Sequence, residues 1–142
     1  MAYEGNPRKA TELYVGSKHI QQNPAVANGL EGFIDYFEQM QVEYPNKSIE
    51  FVRAICENDL VTLHTHQTWP DNDEYVTMDF FRFDKKEKII EHWDSIQQIP
   101  ETSANENKMY WRWKKDFWLE VEVIRTTFWI SIDTLQNFKW CD

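Results

Sequence analysis

Two hydrophobic rhythms divide the chain. Between Asn6 and Met40 apolar residues recur every three or four positions, and from Ser48 to Gln97 they recur every second position. The first spacing suits helices with one buried side. The second suits strands, whose successive side chains point to opposite faces. Asn6-Pro7 has the form of a helix start, since Asn caps and Pro is tolerated at the first helical position. Ala10, Leu13, Tyr14 and Ile20 predict a first helix that runs to about Gln22, where Asn23 precedes Pro24. The stretch Asn23 to Gly29 is rich in turn residues. Leu30, Phe33, Ile34, Phe37 and Met40 form one apolar stripe and predict a second helix, which Tyr44-Pro45-Asn46 ends.

Four strands follow. Ile49, Phe51 and Ile55 alternate with Glu50, Val52 and Ala54, and Glu57-Asn58-Asp59 turns the chain. Leu60 to Trp69 is the next strand and Pro70 to Asp73 the next turn. Thr77 to Phe83 follows, and Asp84-Lys85-Lys86-Glu87 leads into Lys88 to Gln97. Strands joined by such short turns pair antiparallel. Two helices covering one face of a curved antiparallel sheet make an α+β domain.

Beyond the spacer Pro100 to Lys108 the pattern changes. Five of the seven Trp fall between 110 and 142: Trp111, Trp113, Trp118, Trp129 and Trp140. Leu119 to Val123 and Phe128 to Asp133 alternate like two strands of a hairpin. This divides the chain into a domain over 1–109 and a Trp-rich extension over 110–142. The extension is open to three readings: an added hairpin, a lineage-specific extension, or a frame-shifted end. A hairpin with that much apolar surface is expected to pack on its own domain or on a partner subunit.

Composition narrows the function. The chain has 142 residues, 42% hydrophobic and 27% charged, with a formal net charge of −9. That surface repels phosphate backbones and anionic membranes, so neither nucleic acid nor membrane is an expected partner. The two cysteines, Cys56 and Cys141, match no zinc motif or disulfide framework. With a polar start from Met1 to Lys9 and no long apolar run, a cytoplasmic location is expected. With four glycines and no phosphate-cradling loop, no nucleotide cofactor is expected.

The candidate chemistry concentrates in Lys88-Ile89-Ile90-Glu91-His92-Trp93-Asp94-Ser95-Ile96-Gln97. Polar groups on a strand that should be largely covered are costly unless something binds them. By strand parity His92 and Asp94 share one face, while Glu91, Trp93 and Gln97 share the other. An Asp in an apolar pocket can serve as general acid or base, and a neighbouring His can be oriented by it. His64 and His66 also share a strand face, with Asp79 on the next strand. That set can hold zinc, but the spacing equally suits a solvated strand, and no metal is assigned. Arg82 is expected to pair with Glu91 or Asp79.

Three segments carry a resemblance. They are Tyr14-Val15-Gly16 with Ile20-Gln21-Gln22-Asn23-Pro24, Glu57-Asn58-Asp59-Leu60-Val61 with His64, and Asp79-Phe80-Phe81-Arg82-Phe83 with the run just quoted. Together they resemble the SnoaL-like branch of the nuclear-transport-factor-2-like superfamily, over roughly Ala10 to Met109. The resemblance implies a cystatin-like, cone-shaped half barrel: a curved antiparallel sheet wrapped around N-terminal helices, with an apolar pocket at its mouth. It also implies a homodimer packed through the outer sheet faces. Relatives include cofactor-independent polyketide cyclases of aldol type, isomerases and dehydratases.

On that reading the ligand is a small apolar carbonyl compound and no cofactor is needed. Asp94 and His92 move a proton, and His64, Asp79 and Gln97 hydrogen-bond the oxygen on which charge develops. Trp93, Tyr14, Phe33 and Phe37 line the pocket, and Asn23 borders its mouth. Two positions depart from the family pattern. Gln22 stands where a His usually precedes Asn-Pro, with His19 three residues earlier, and Gln97 stands where the cyclases carry their acid/base Asp. A non-catalytic ligand-binding or dimerisation module of the same fold is the alternative.

Overall fold

The computed structural model describes residues 1–69 and 73–110. Its elements run α1 (Pro7–Tyr14), β1 (Val15–Gln21), α2 (Gly29–Glu43), β2 (Ser48–Glu57), β3 (Leu60–Thr68), β4 (Glu74–Phe83) and β5 (Ile89–Gln98). The strands form one sheet in the order β1-β5-β4-β3-β2. β2 through β5 make the expected antiparallel meander.

The first helix is shorter than its periodicity suggested. It ends at Tyr14, and Val15–Gln21 is a strand parallel to β5. Val15, Gly16 and Ser17 are poor helix formers, and the exposed edge of β5 offers a ladder of partners. Gly16 allows the approach: a Cβ there would lie 3.0 Å from Ile90 Cγ2. Local periodicity could not reveal this strand, because its hydrogen-bond partner lies about seventy residues away.

The turn from β1 into α2 is tied at both ends by Asn28. Its side-chain oxygen caps α2 by accepting from the Gly29 N–H at 3.1 Å, and it accepts from the Gln21 N–H at 3.0 Å. Gly29 sits at φ +86, where glycine is favoured. The loop also lies tight against α2: a Cβ on Gly32 would be 2.1 Å from the Ala27 carbonyl oxygen. These contacts place Asn23 over the sheet.

The helices cover one face of the sheet. Along β3 and β4 that inner face carries Leu63, Thr65, Gln67 and Trp69 opposite Tyr75, Thr77, Asp79 and Phe81. Tyr3 and Phe37 meet edge to face above it, and Tyr44 at the end of α2 packs on Trp69. Ile34 and Met40 of α2 are buried beneath.

The outer face carries Thr62, His64, Met78, Phe80, Arg82, Glu91 and Trp93. Arg82 pairs with Glu91 at 3.3 Å and Asp59 at 3.1 Å, and lies over the Trp93 ring. Pairing with Glu91 was one expected outcome; Asp79 points to the other face. Beyond β5 the chain reaches Tyr110, whose ring stacks on His66 at 3.7 Å. The Pro70–Asn72 part of the predicted turn and the Trp-rich segment beyond Tyr110 lie outside the described residues.

Candidate active site on the inner face of β5

Strand pairing brings three ionisable groups together. Asp79 faces Asp94 across the β4–β5 ladder, and Phe81 faces His92. Cross-strand neighbours share a face, so Asp79, His92 and Asp94 all lie on the helix-covered side. Their ligating atoms fall within 4.8 Å of one another, close enough to share one cation. Each of the three already has a protein hydrogen-bond partner, so the group is complete as a protein network.

His92 is held on both nitrogens. Nδ1 lies 3.0 Å from Gln21 Oε1, and Nε2 lies 3.3 Å from Asp79 Oδ1. The Asn23 backbone N–H donates to the same Gln21 oxygen at 2.9 Å, which fixes that atom as the acceptor. The His92 proton that Gln21 accepts is therefore on Nδ1. The imidazole also stacks on Phe81 at 4.7 Å.

Asp94 is held from the loop. The Asn23 side-chain N–H donates to Asp94 Oδ2 at 2.5 Å. Asn23 Oδ1 accepts from the Ala25 N–H at 2.8 Å, which orients the amide with its nitrogen toward Asp94. Tyr36 of α2 faces this carboxylate. Burial pushes the Tyr36 phenol up, and the Asp94 charge adds to the effect.

A second imidazole, His19, belongs to the same face. It shares strand parity with Gln21 and packs edge to face on Phe33 of α2 at 6.0 Å. It is 5% exposed, and its Nδ1 has no hydrogen-bond partner among the described residues. Burial holds the His19 imidazole below its ordinary value, and the positive form of His92 adds to that. His19 is therefore a neutral group beside the pair.

Among the residues singled out from the sequence, the structure brings together Asp94, His92, Asp79, Asn23 and, through His19, Phe33. Phe37 packs on Phe33 at 4.7 Å, and Tyr14 is buried at the end of α1. Three residues do not join them. His64, Trp93 and Gln97 lie on the outer face, paired across the ladders with Met78, Phe80 and Val76. The expected oxyanion contacts of His64 and Gln97, and the expected Trp93 wall, are thus corrected by strand parity: the β4–β5 register runs unshifted from the Val76–Gln97 pair to the Arg82–Glu91 pair, and its one irregularity lies beyond that, between Arg82 and Phe83. The zinc combination of His64, His66 and Asp79 is divided between the faces in the same way. His64 is instead buried, its imidazole lowered by burial and by Arg53.

Gln21 and His19 were not singled out as site residues. Once β1 is known to be a strand, their alternation on its inner side would have marked them. Gln22, the departure from the family pattern, donates outward to Glu91 at 3.0 Å. A depression of about 340 Å³ lies at the β1–β5 pairing, lined by Ser17, Lys18, Ile20, Asp84, Ile90 and Glu91. None of the three clustered ionisable groups lines it.

Fold and site together describe a small α+β domain with an acid–imidazole cluster under its helices. Residues 4–92 match the SnoaL-like domain family, and the chain belongs to it. No curated protein matches the sequence. Solved structures share the fold. TsrD from Streptomyces laurentii aligns with a TM-score of 0.58 at 18% identity, over 67% of this chain and 79% of its own. IdmH from Streptomyces antibioticus, a candidate polyketide cyclase, aligns with a TM-score of 0.57 at 14% identity, over 67% of this chain and 84% of its own. A candidate isomerase of the SnoaL-like family from Agrobacterium tumefaciens gives 0.58 at 13% identity, over 68% of this chain and 88% of its own.

Proposed function

We propose that this SnoaL-like domain binds a small apolar carbonyl compound on the inner face of β5 and moves a proton on it without a cofactor. The observation that carries this reading is Asp94: a carboxylate anchored by Asn23 on the helix-covered face, within 4.8 Å of an imidazole and a second carboxylate. Asp94 takes or returns the proton next to the carbonyl. His92, held in place by Gln21 and Asp79, stands close to the oxygen that becomes negative. Phe33, Phe37 and Tyr14 supply apolar surface. A homodimer through the outer sheet face, where Met78 and Phe80 are exposed, and a cytoplasmic location complete the reading.

Hydrogen–deuterium exchange tests it. In D2O, NMR of a panel of apolar ketones should show α-proton exchange accelerated by the protein. Asp94→Asn should remove that acceleration while leaving the circular dichroism unchanged. Acceleration that survives in Asp94→Asn would retire the role.

One observation favours the non-catalytic alternative. Both His92 nitrogens are engaged by protein groups, so neither is free for a ligand. On that reading the ketones bind without exchange.

A further inference from the structure

The trio on the inner face is short of positive charge. Asp79 and Asp94 stand directly opposite each other across the β4–β5 ladder, a placement that destabilises like charges. They are not solvated surface groups: Asp94 is half-buried, and the side chains of Asp79 and His92 are 16% and 13% exposed. Among the described residues no lysine or arginine pairs with either carboxylate, and His92 beside Asp79 is the only basic group in ion-pair contact. Even a charged imidazole would leave one of the two carboxylates uncompensated.

Each member of the trio is tethered on one atom by a neutral partner. Asn23 Nδ2 donates to Asp94 Oδ2 at 2.5 Å. The Thr77 hydroxyl donates to Asp79 Oδ2, and Thr77 is itself seated on Thr65 at 2.6 Å, from which Gln67 leads back to Trp69. Gln21 Oε1 accepts from His92 Nδ1 at 3.0 Å. Asp94 Oδ1, Asp79 Oδ1 and His92 Nε2 are left without a partner outside the trio. Metal ligands are held in this way, a ligating His giving its other ring nitrogen to a carbonyl oxygen. The His92 Nε2 to Asp79 Oδ1 separation is 3.3 Å. Two ligand atoms on one tetrahedral zinc ion, each roughly 2.1 Å from it, stand about 3.4 Å apart. An ion between these two atoms therefore leaves both where they are. One ligand atom from each of the three residues lies within 4.8 Å of the others, so side-chain torsion of Asp94 completes the set. His19 adds an independent sign. It is 5% exposed on the same face, near enough to feel the charge of His92, and its Nδ1 has no partner among the described residues. A buried polar atom without a partner is costly.

We propose that Asp79, His92 and Asp94 bind one divalent transition cation of the zinc type, with Gln21, Asn23 and Thr77 as positioning residues. One imidazole and two carboxylates suit such an ion, whereas Mg²⁺ and Ca²⁺ prefer sets of oxygens alone. The ion supplies the positive charge that the facing carboxylates lack, and a water on its open side gives His19 Nδ1 a partner. The site shares Asp94 with the proposed function but does not rest on its reaction. An ion held by Asp94 keeps that carboxylate from taking a proton, so occupancy switches the proposed reaction off.

The test uses the full chain without a His-tag, stripped with a chelator, and zinc chloride alone as the probe. Titration calorimetry near neutral pH should show a single ion taken up per chain, and Co²⁺ in its place should give the visible absorption of a protein-bound ion. Asp79→Asn, Asp94→Asn and His92→Gln should each weaken Zn²⁺ binding more than about 100-fold, beyond the loss of an outer partner. Thr77→Val and Asn23→Ala should weaken it about 10- to 100-fold, and Thr77→Ser, which keeps the hydroxyl, should bind like the native chain. His64→Gln, on the outer face, should leave binding unchanged, and Mg²⁺ in large excess should not displace the zinc. If a ligand variant fails to fold, the native chain still decides: Zn²⁺ should move the His92 imidazole signals in its NMR spectrum and leave those of His64 in place. No uptake, binding equally tight after loss of any of the three ligands, displacement by Mg²⁺, or an equal loss in His64→Gln overturns the proposal. Zinc binding with no ketone exchange in the stripped chain would overturn the proposed reaction and leave the ion site standing. Ketone exchange in a chain that takes up no zinc would do the reverse.

Discussion

The two faces of one sheet are built on opposite terms. On the inner face, polar side chains from Trp69 to Asp94 are matched to one another under two helices. On the outer face, Met78 and Phe80 stay exposed and charged groups pair at the margin, as Arg82 does with Glu91 and Asp59. Adjacent residues of β5 belong to different faces: His92 and Asp94 face the inner network, while Trp93 between them lies under Arg82. The difference shows that parity, more than residue type, assigns a polar group its role here.

The largest expected effect separates the faces by stability. Ile34→Ala removes a buried side chain of α2 and should cost about 2–5 kcal/mol. Ile55→Ala, at a site 63% exposed on the outer face, should change stability by less than about 0.5 kcal/mol. Denaturant midpoints that shift equally in the two variants would break the comparison.

The second effect is on pH dependence, and it compares one imidazole from each face. His19 and His64 are both held below their ordinary values, chiefly by burial. The unfolded chain takes up protons at these positions that the folded chain resists. Their contribution is therefore intact above about pH 6.5 and lost as pH falls through that value. His19→Gln and His64→Gln should each flatten the fall in melting temperature between roughly pH 7 and 5. A slope as steep as that of the native chain in both variants would show that neither imidazole is linked to folding.

The smallest effect on stability sharpens the outer face. Phe80→Lys should alter folding by less than about 1 kcal/mol, because Phe80 is 41% exposed. In the proposed homodimer it should nonetheless halve the mass measured by light scattering. An unchanged mass would remove that face from the interface.

Much of the fold was legible. The stripe Leu30 to Met40 and the alternation from Ser48 onward located α2 and the meander, because each element is read from neighbours in the chain. β1 was not legible, since its partner β5 is remote and its own residues continue a helical rhythm. Within the site, Asp94, His92, Asp79 and Asn23 were singled out, whereas Gln21 and His19 depended on β1. His64, Trp93 and Gln97 were grouped with the site although they lie on the outer face.

The order of residues alone determined the period of each element, the turns at Asn58 and Asp84, and the separation of His92 and Asp94 from Trp93 by one step of a strand. Only the assembled sheet decided which step faces the helices, because that depends on cross-strand register and on where α2 packs. The hydrogen-bonded line from Trp69 through Gln67, Thr65 and Thr77 to Asp79 also exists only there. It joins atoms from β3 and β4 whose directions are set by buried partners, and no local pattern encodes those.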